Sequence, residues 1–430
     1  MSTTPSTPEQ PGGPAGIEEM PAAVPADLQD ERLIASRGVR GAVSVFTSRL
    51  RSGDLGSLPV VVGLIIIWGV FQSLNSEFLS ARNLVNLALQ SAAVGTIAIG
   101  IVLVLLLGEI DLSIGSVSGL AAAIMGVTLT SRHWPLSAAV IAAILTGTVI
   151  GLAYGVIFTR FGVPSFVITL AGLLGILGLQ LYVLGKEGSL NIAFTSALVE
   201  FAQQQFLAPA VAYGLVVLTA VAYLVSRLRS RARRAAAGLS TTPAWMLAVH
   251  VVALALVLAV AVLVLNQDRG VPYMFVLFLV LVVLMDLAIR RTGWGRSVMA
   301  VGGNVEAARR AGINVRFIYL SVFALCSTFA ALGGILAAGR LAAVNQSSGG
   351  GDTNLNAIAA AVIGGTSLFG GRGSAYSALL GIIVIQSISS GLSLLNLDSS
   401  IRFMVTGAVL LLAVTIDSLS RRSRVAHGRA

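Results

Sequence analysis

The chain has 430 residues, 56% hydrophobic and only 11% charged, where an ordinary soluble domain carries about 25% charged residues; a water-facing globular fold is excluded. Its 28 basic and 18 acidic residues leave a net charge of +10, but the arginines gather at residues 227–234, 290–316 and 421–429, at the edges of apolar runs. That placement marks the cytoplasmic ends of membrane spans, not a surface for nucleic acid. The single cysteine, Cys326, leaves no intrachain disulfide and no cysteine-based metal cluster.

Residues 1–55 hold much of the proline and the acidic residues Glu18, Glu19, Asp27, Asp30 and Glu31, with few large apolar side chains. They read as a disordered cytoplasmic tail without the pattern of a cleavable signal. On the ruler of about 20 helical residues per bilayer core, apolar runs follow at 58–74, 88–107, 112–130, 136–158, 164–184, 207–226, 244–265, 271–289, 317–339, 354–370, 375–395 and 403–416. The fold class is all-α: a polytopic membrane protein of 10–12 transmembrane helices with glycine-broken segments in both halves. Starting inside, the crossings put every arginine cluster and both termini on the cytoplasmic side of the plasma membrane. The transmembrane domain is expected over 56–420 and a basic cytoplasmic tail over 421–430. Two re-entrant runs in place of crossings give ten spans and the same orientation.

The halves echo each other. Residues 83–87 precede a run that breaks at 108–115, and 354–356 precede one that breaks at 364–373. Unwound backbone is tolerated in a membrane only where protein or a wet cavity surrounds it, so paired breaks point to a transport pathway.

Three segments carry chemistry. In the first, Glu109 and Asp111 follow ten Leu, Ile or Val residues between Val94 and Leu107. Those residues favour insertion by about 3–6 kcal/mol, and two carboxylates at mid-membrane oppose it by about 5–7 kcal/mol. The terms cancel, so both acids belong at a helix end or against a polar cavity. Asp111, ahead of Leu112 and Ser113, is a candidate N-cap for the next helix, and either acid is a candidate proton carrier. In the second, Asn304 can cap a short helix with Glu306 in its first turn, Arg309 and Arg310 near its end and Gly312 closing it. Val305, Ala308 and Ala311 give that helix one small apolar side suited to a shallow groove on a soluble partner; an ordinary interfacial loop is the alternative. In the third, residues 357–374, small side chains let helices approach closely and two Gly-Gly pairs break the helix.

No phosphate-binding loop of the Gly-x-x-x-x-Gly-Lys-Ser/Thr kind occurs, and the only lysine is Lys186, so any nucleotide-derived work comes from a partner. His133, His250 and His427 are far apart and lack metal-ligand spacing. A non-enzymatic transport subunit without cofactor or metal is expected. The rival from another class is an ion-coupled secondary transporter working through Glu109 or Asp111.

The combination Glu109-Ile110-Asp111-Leu112-Ser113, the run 163–172, Gly302-Gly303-Asn304-Val305-Glu306-Ala307-Ala308-Arg309 and the run 357–374 resembles the permease subunits of sugar ABC importers of the ribose and xylose type. Residues 265–272 and 411–418 resemble the xylose-type branch in particular. The likeness spans about residues 60–420. It implies a pair of permease subunits, commonly a homodimer, in the lipid bilayer, with ABC ATPase subunits at the cytoplasmic face and an extracytoplasmic sugar-binding protein delivering a monosaccharide. It implies ATPase coupling through Gly303, Asn304, Glu306, Arg309, Arg310 and Gly312, and a translocation pathway touching Glu109, Asp111, Ser113, Thr169, Asn356 and Thr366. Two positions depart from the family pattern, which often has an acidic residue at Asn356 and an arginine at Leu177. Both departures remove charge and bear on selectivity.

Overall fold

The computed structural model describes residues 58–239, 241 and 243–426; the tail expected at 1–55 lies outside the described residues. The apolar runs form α1 (Leu58–Leu74), α2 (Ala81–Leu106), α3 (Ile114–Thr130), α4 (Leu136–Phe161), α5 (Ser165–Leu184), α6 (Pro209–Ala236), α7 (Ala244–Leu265) and α8 (Tyr273–Arg291). After them come two short helices, α9 (Gly293–Gly303) and α10 (Val305–Arg310), then α11 (Val315–Leu341), α12 (Gly351–Ile363), α13 (Tyr376–Leu394) and α14 (Ser399–Ala426). Residues 421–426, expected as tail, continue α14.

Local chemistry sets the boundaries. Pro135, Pro164, Pro243 and Pro272 stand immediately before α4, α5, α7 and α8 with φ between −55° and −66°. The ring holds that torsion and has no amide to leave unpaired at a helix start. At the other end of α4, Gly162 adopts φ +67°, where a side chain would be strained.

Among the described residues, eight helices are long and apolar enough to cross a membrane, namely α2, α4–α8, α11 and α13. The protein is therefore polytopic and, among the described residues, all-α apart from a small two-stranded sheet. In it β1 (Ser189–Asn191) pairs antiparallel with β2 (Ala343–Asn345), with Leu190 opposite Val344. The run expected at 354–370 is shorter than a span: α12 has 13 residues, about 20 Å of helix against a hydrocarbon core of about 30 Å.

The axis of the molecule is α2, buried without interruption from Gly95 to Leu106 and contacted by α8, α11, α12 and α13. Contacts this close need small residues. A Cβ at Gly151 of α4 would overlap the Phe323 carbonyl of α11, and one at Gly381 of α13 would overlap the Ala360 carbonyl of α12. By contrast, α6 and α7 pack mainly on each other at the periphery, through Ala212 and Val216 against Val262. Arg269 fastens the far end of this pair to the axis. It donates to Asn86 Oδ1 of α2 at 2.6 Å, pairs with Asp268 at 2.9 Å and lies over the Phe206 ring.

Candidate functional site

The two glycine-broken segments meet. After α2 the chain turns at Gly108 (φ +78°) and runs irregularly to Ile114; after α12 it turns at Gly365 (φ +100°) and passes Gly370 (φ +82°) and Gly371 (φ +70°) before α13. The Gly371 N–H donates to the Leu106 carbonyl at 2.9 Å, and the Asn354 side-chain amide of α12 donates to the Leu112 carbonyl at 2.7 Å. Carbonyls of the first break, at the end of α2 and ahead of α3, thus find partners in the second break and in α12, as backbone shielded from water requires.

A third chain segment closes the junction. Gly302, near the end of α9, lies against both breaks: a Cβ there would overlap the Leu106 carbonyl oxygen and stand 2.8 Å from the Gly371 nitrogen. Gly370 in turn faces the Gly302 carbonyl, and a Cβ on Gly370 would come within 2.5 Å of it. Backbone rests directly on backbone.

Beside this junction the expected pathway residues gather. Glu109 Oε2 accepts from the Ser165 hydroxyl at 2.5 Å. Thr169, one turn along α5, donates to the Ser165 carbonyl at 2.9 Å and lies 3.4 Å from the Ile110 carbonyl. Asp111 is 1% exposed; its Oδ1 accepts from the Ser113 N–H at 2.8 Å and the Ser113 hydroxyl at 2.7 Å, and its Oδ2 faces the Cys326 thiol at 3.7 Å. Among the described residues neither carboxylate forms an ion pair. The expected N-cap moves by two residues: Ser113 holds the N-cap position of α3, and Asp111 accepts both Ser113 donors from within the preceding turn. A single carboxylate oxygen takes the amide and the hydroxyl together, and the backbone reverses there.

Glu109, Ile110, Ile101, Leu105, Ile358 and Leu368 wall a small cavity. Thr366 is buried in the second break next to Gly373, whose own neighbour is Leu106. Asn356 is half-buried and two residues from both Asn354 and Ile358, which puts it on the opposite side of α12 from the cavity. Leu177 is half-buried on α5. Glu109, Asp111, Ser113 and Thr169 are therefore brought together, Thr366 adjoins them through Leu106, and Asn356 stands apart.

The short helix forms as its caps dictate. Asn304 Oδ1 accepts from the Ala307 N–H at 2.9 Å. Gly312 (φ +81°) ends it, with its N–H on the Arg309 carbonyl and the Ile313 N–H on the Ala308 carbonyl, the paired bonds of a Schellman stop. Glu306 and Arg309 pair at 2.6 Å on the exposed side. Of the apolar side expected to meet a partner, Val305 and Ala308 turn inward and Ala311 stays exposed. Ala308 is 4% exposed and belongs, with Val305 and Ile313 against it, to the main core. A six-residue helix so near the spans can bury its apolar stripe in its own protein. What it presents outward is Gly303, Asn304, Glu306, Arg309, Arg310 and Gly312, together with Ala307 and Ala311.

Sequence reasoning missed Ser165, Asn354 and Gly302. The Pro164-Ser165 start of α5 was a usable signal for Ser165; Asn354 and Gly302 are defined only by contacts across the fold.

The family model described as branched-chain amino acid transport system / permease component matches residues 83–414. The xylose transport system permease protein XylH of Escherichia coli K12 is 35% identical over 376 residues, covering 87% of this chain and 95% of that protein. The ribose import permease protein RbsC of the same organism is 29% identical, covering 83% and 92%, and the fructose import permease protein FrcC of Rhizobium meliloti is 28% identical, covering 86% and 88%. No solved structure matches the chain.

Proposed function

The chain belongs to the family described as the permease component of the branched-chain amino acid transport system, and we propose that it is the permease of an ABC importer that moves a monosaccharide, a xylose-like pentose or a related sugar, into the cytoplasm. The observation that carries this reading is the similarity, over 83–87% of the chain, to permeases named for xylose, ribose and fructose, joined to a junction that links an exposed capped helix with two broken membrane segments.

In this mechanism two copies of the chain form the path, an extracytoplasmic binding protein delivers the sugar, and ATPase subunits press on the side chains from Gly303 to Gly312. Both termini and the arginine clusters face the cytoplasm. Movement of α9 and α10 reaches Leu106 and Gly371 through Gly302 without an intervening side chain, so it bears on both breaks at once. Opening them enlarges the cavity beside Glu109 and Asp111. The chemistry of passage is hydrogen-bond exchange: hydroxyl and carboxylate groups of Glu109, Asp111, Ser113 and Thr169 trade their present partners for sugar hydroxyls. No covalent bond changes. Asn356 and Leu177 act on selectivity from outside this cavity.

The test is uptake of labelled pentoses and hexoses by vesicles holding the chain with its ATPase and binding protein. ATP-dependent uptake of one sugar is expected. Uptake by the chain alone under a proton or sodium gradient, without nucleotide, overturns the reading in favour of ion coupling.

A further inference from the structure

The transport reading leaves unused the most strongly charged feature of the periphery, the end of α6. This helix has 28 residues and its partner α7 has 22. Ala212 and Val216 share a cluster with Val262 and Leu258, which sets the pair level at the end near Arg269. The six extra residues therefore overshoot the start of α7 by about 9 Å. Arg227, Arg229, Arg231 and Arg233 occupy this overshoot and the turn before it; three are exposed and Arg231 is half-exposed. No acidic residue occurs between Glu200 and Asp268, so nothing within the pair neutralises them.

The neighbouring side chains are those of a bilayer boundary. The Arg227 guanidinium lies 5.0 Å from the centre of the Tyr223 ring, and Trp245, at the start of α7, is 51% exposed. Below them Val217, Leu218, Val221, Val252, Leu256 and Val257 are exposed, an apolar surface suited to lipid tails. Aromatic rings at the interface with arginines just beyond them place the guanidinium groups at headgroup depth.

The geometry points to binding sites for anionic phospholipid headgroups on two faces of the tip of the α6–α7 pair, one carried by Arg227 and Arg231 and the other by Arg229 and Arg233. Guanidinium groups pair with phosphate oxygens in a two-pronged manner, and the overshoot lifts them above the tails to where those oxygens lie. The inference requires only that α6 and α7 cross the bilayer, so it stands or falls apart from the identity of the transported solute.

The experiment reconstitutes the full chain in vesicles of equal parts phosphatidylglycerol and phosphatidylcholine and measures by native mass spectrometry which lipid stays bound. The wild type is expected to retain phosphatidylglycerol preferentially. Arg227→Gln/Arg229→Gln/Arg231→Gln/Arg233→Gln is expected to lower that preference by about tenfold or more, and the matching Lys variant to keep most of it. Equal retention of both lipids by the wild type, or an unchanged preference in the Gln variant, overturns the sites. If the Gln variant fails to insert, the salt response of the wild type decides. Loss of preference at 1 M salt, where screening acts over about 3 Å, supports the sites, and indifference to salt overturns them.

Discussion

The amide of Gly371 donates to the carbonyl of Leu106 at 2.9 Å, so a residue between two helices of the second half terminates a helix of the first. Gly302 lies against both partners, and the exposed helix α10 follows it directly. An ATPase acting on α10 would move this backbone contact.

Gly302 is the first residue to test. With a carbonyl overlapping the position of any Cβ and the Gly371 nitrogen 2.8 Å from it, Gly302→Ala forces the two breaks apart at a cost of about 1–3 kcal/mol. Gly302→Leu costs more. ATP-driven uptake is expected to fall steeply in both. In the Ala variant ATP hydrolysis by the assembled complex is expected to persist while sugar no longer moves with it. Normal uptake by Gly302→Leu would show that the contact transmits nothing.

Glu306 and Arg309 form an ion pair on the protein surface, with side-chain exposures of 65% and 62%. Such a pair contributes little to stability, at most about 1 kcal/mol. Glu306→Ala is expected to leave the amount of protein in the membrane unchanged and to abolish uptake. Gly312→Val strains a position with φ +81° by about 1–2 kcal/mol and is expected to do the same. Quantitative blots of membranes alongside sugar accumulation check both variants, and unimpaired uptake in both would remove α10 from the coupling mechanism.

Asp111 separates structural from ion-carrying roles. Asp111→Asn keeps a side-chain oxygen that can accept from Ser113, whereas Asp111→Ala strands the buried Ser113 hydroxyl and amide, at about 1–3 kcal/mol for each unsatisfied group. The Asn variant is expected to retain thermal stability in detergent and most ATP-driven uptake, and the Ala variant to lose stability. Loss of uptake in a stable, well-assembled Asn variant would instead favour proton carriage by this carboxylate.

Asn354→Leu removes the 2.7 Å donor to the Leu112 carbonyl. The variant is expected to lower the unfolding temperature of the purified protein, since a buried carbonyl left unpaired costs about 1–3 kcal/mol. Asn354→Gln is expected to restore little, because the longer side chain has no space beside Gly115, where a Cβ would already approach the Asn354 Cβ to 3.0 Å.

Most membrane helices were legible because their boundaries are written in proline and apolar length. The runs expected at 58–74 and 244–265 coincide with α1 and α7. Three features were not legible. Helix α9 carries Gly293, Gly295, Gly302 and Gly303, poor helix formers held by their contacts with α8 and α2. The run at 354–370 looked long enough to cross, but Gly364 packs against the Ser377 carbonyl and Gly365 turns left-handed, which ends α12 early. For α10, periodicity identified the stripe of Val305 and Ala308 but held no information on whether that stripe meets a partner or the protein's own core. At the site, Glu109 and Asp111 were legible from insertion energetics and from the family resemblance; their pairing with Ser165 and Cys326, 56 and 215 residues away, is set by the fold and not by any local pattern.

Cys326 is fully buried, and its sulfur faces Asp111. As the chain's sole thiol, it makes the unmodified protein its own reporter of gating. A water-borne alkylating reagent has no route to it while the two breaks stay locked, so the rate of labelling during turnover counts how often solvent reaches the heart of the permease.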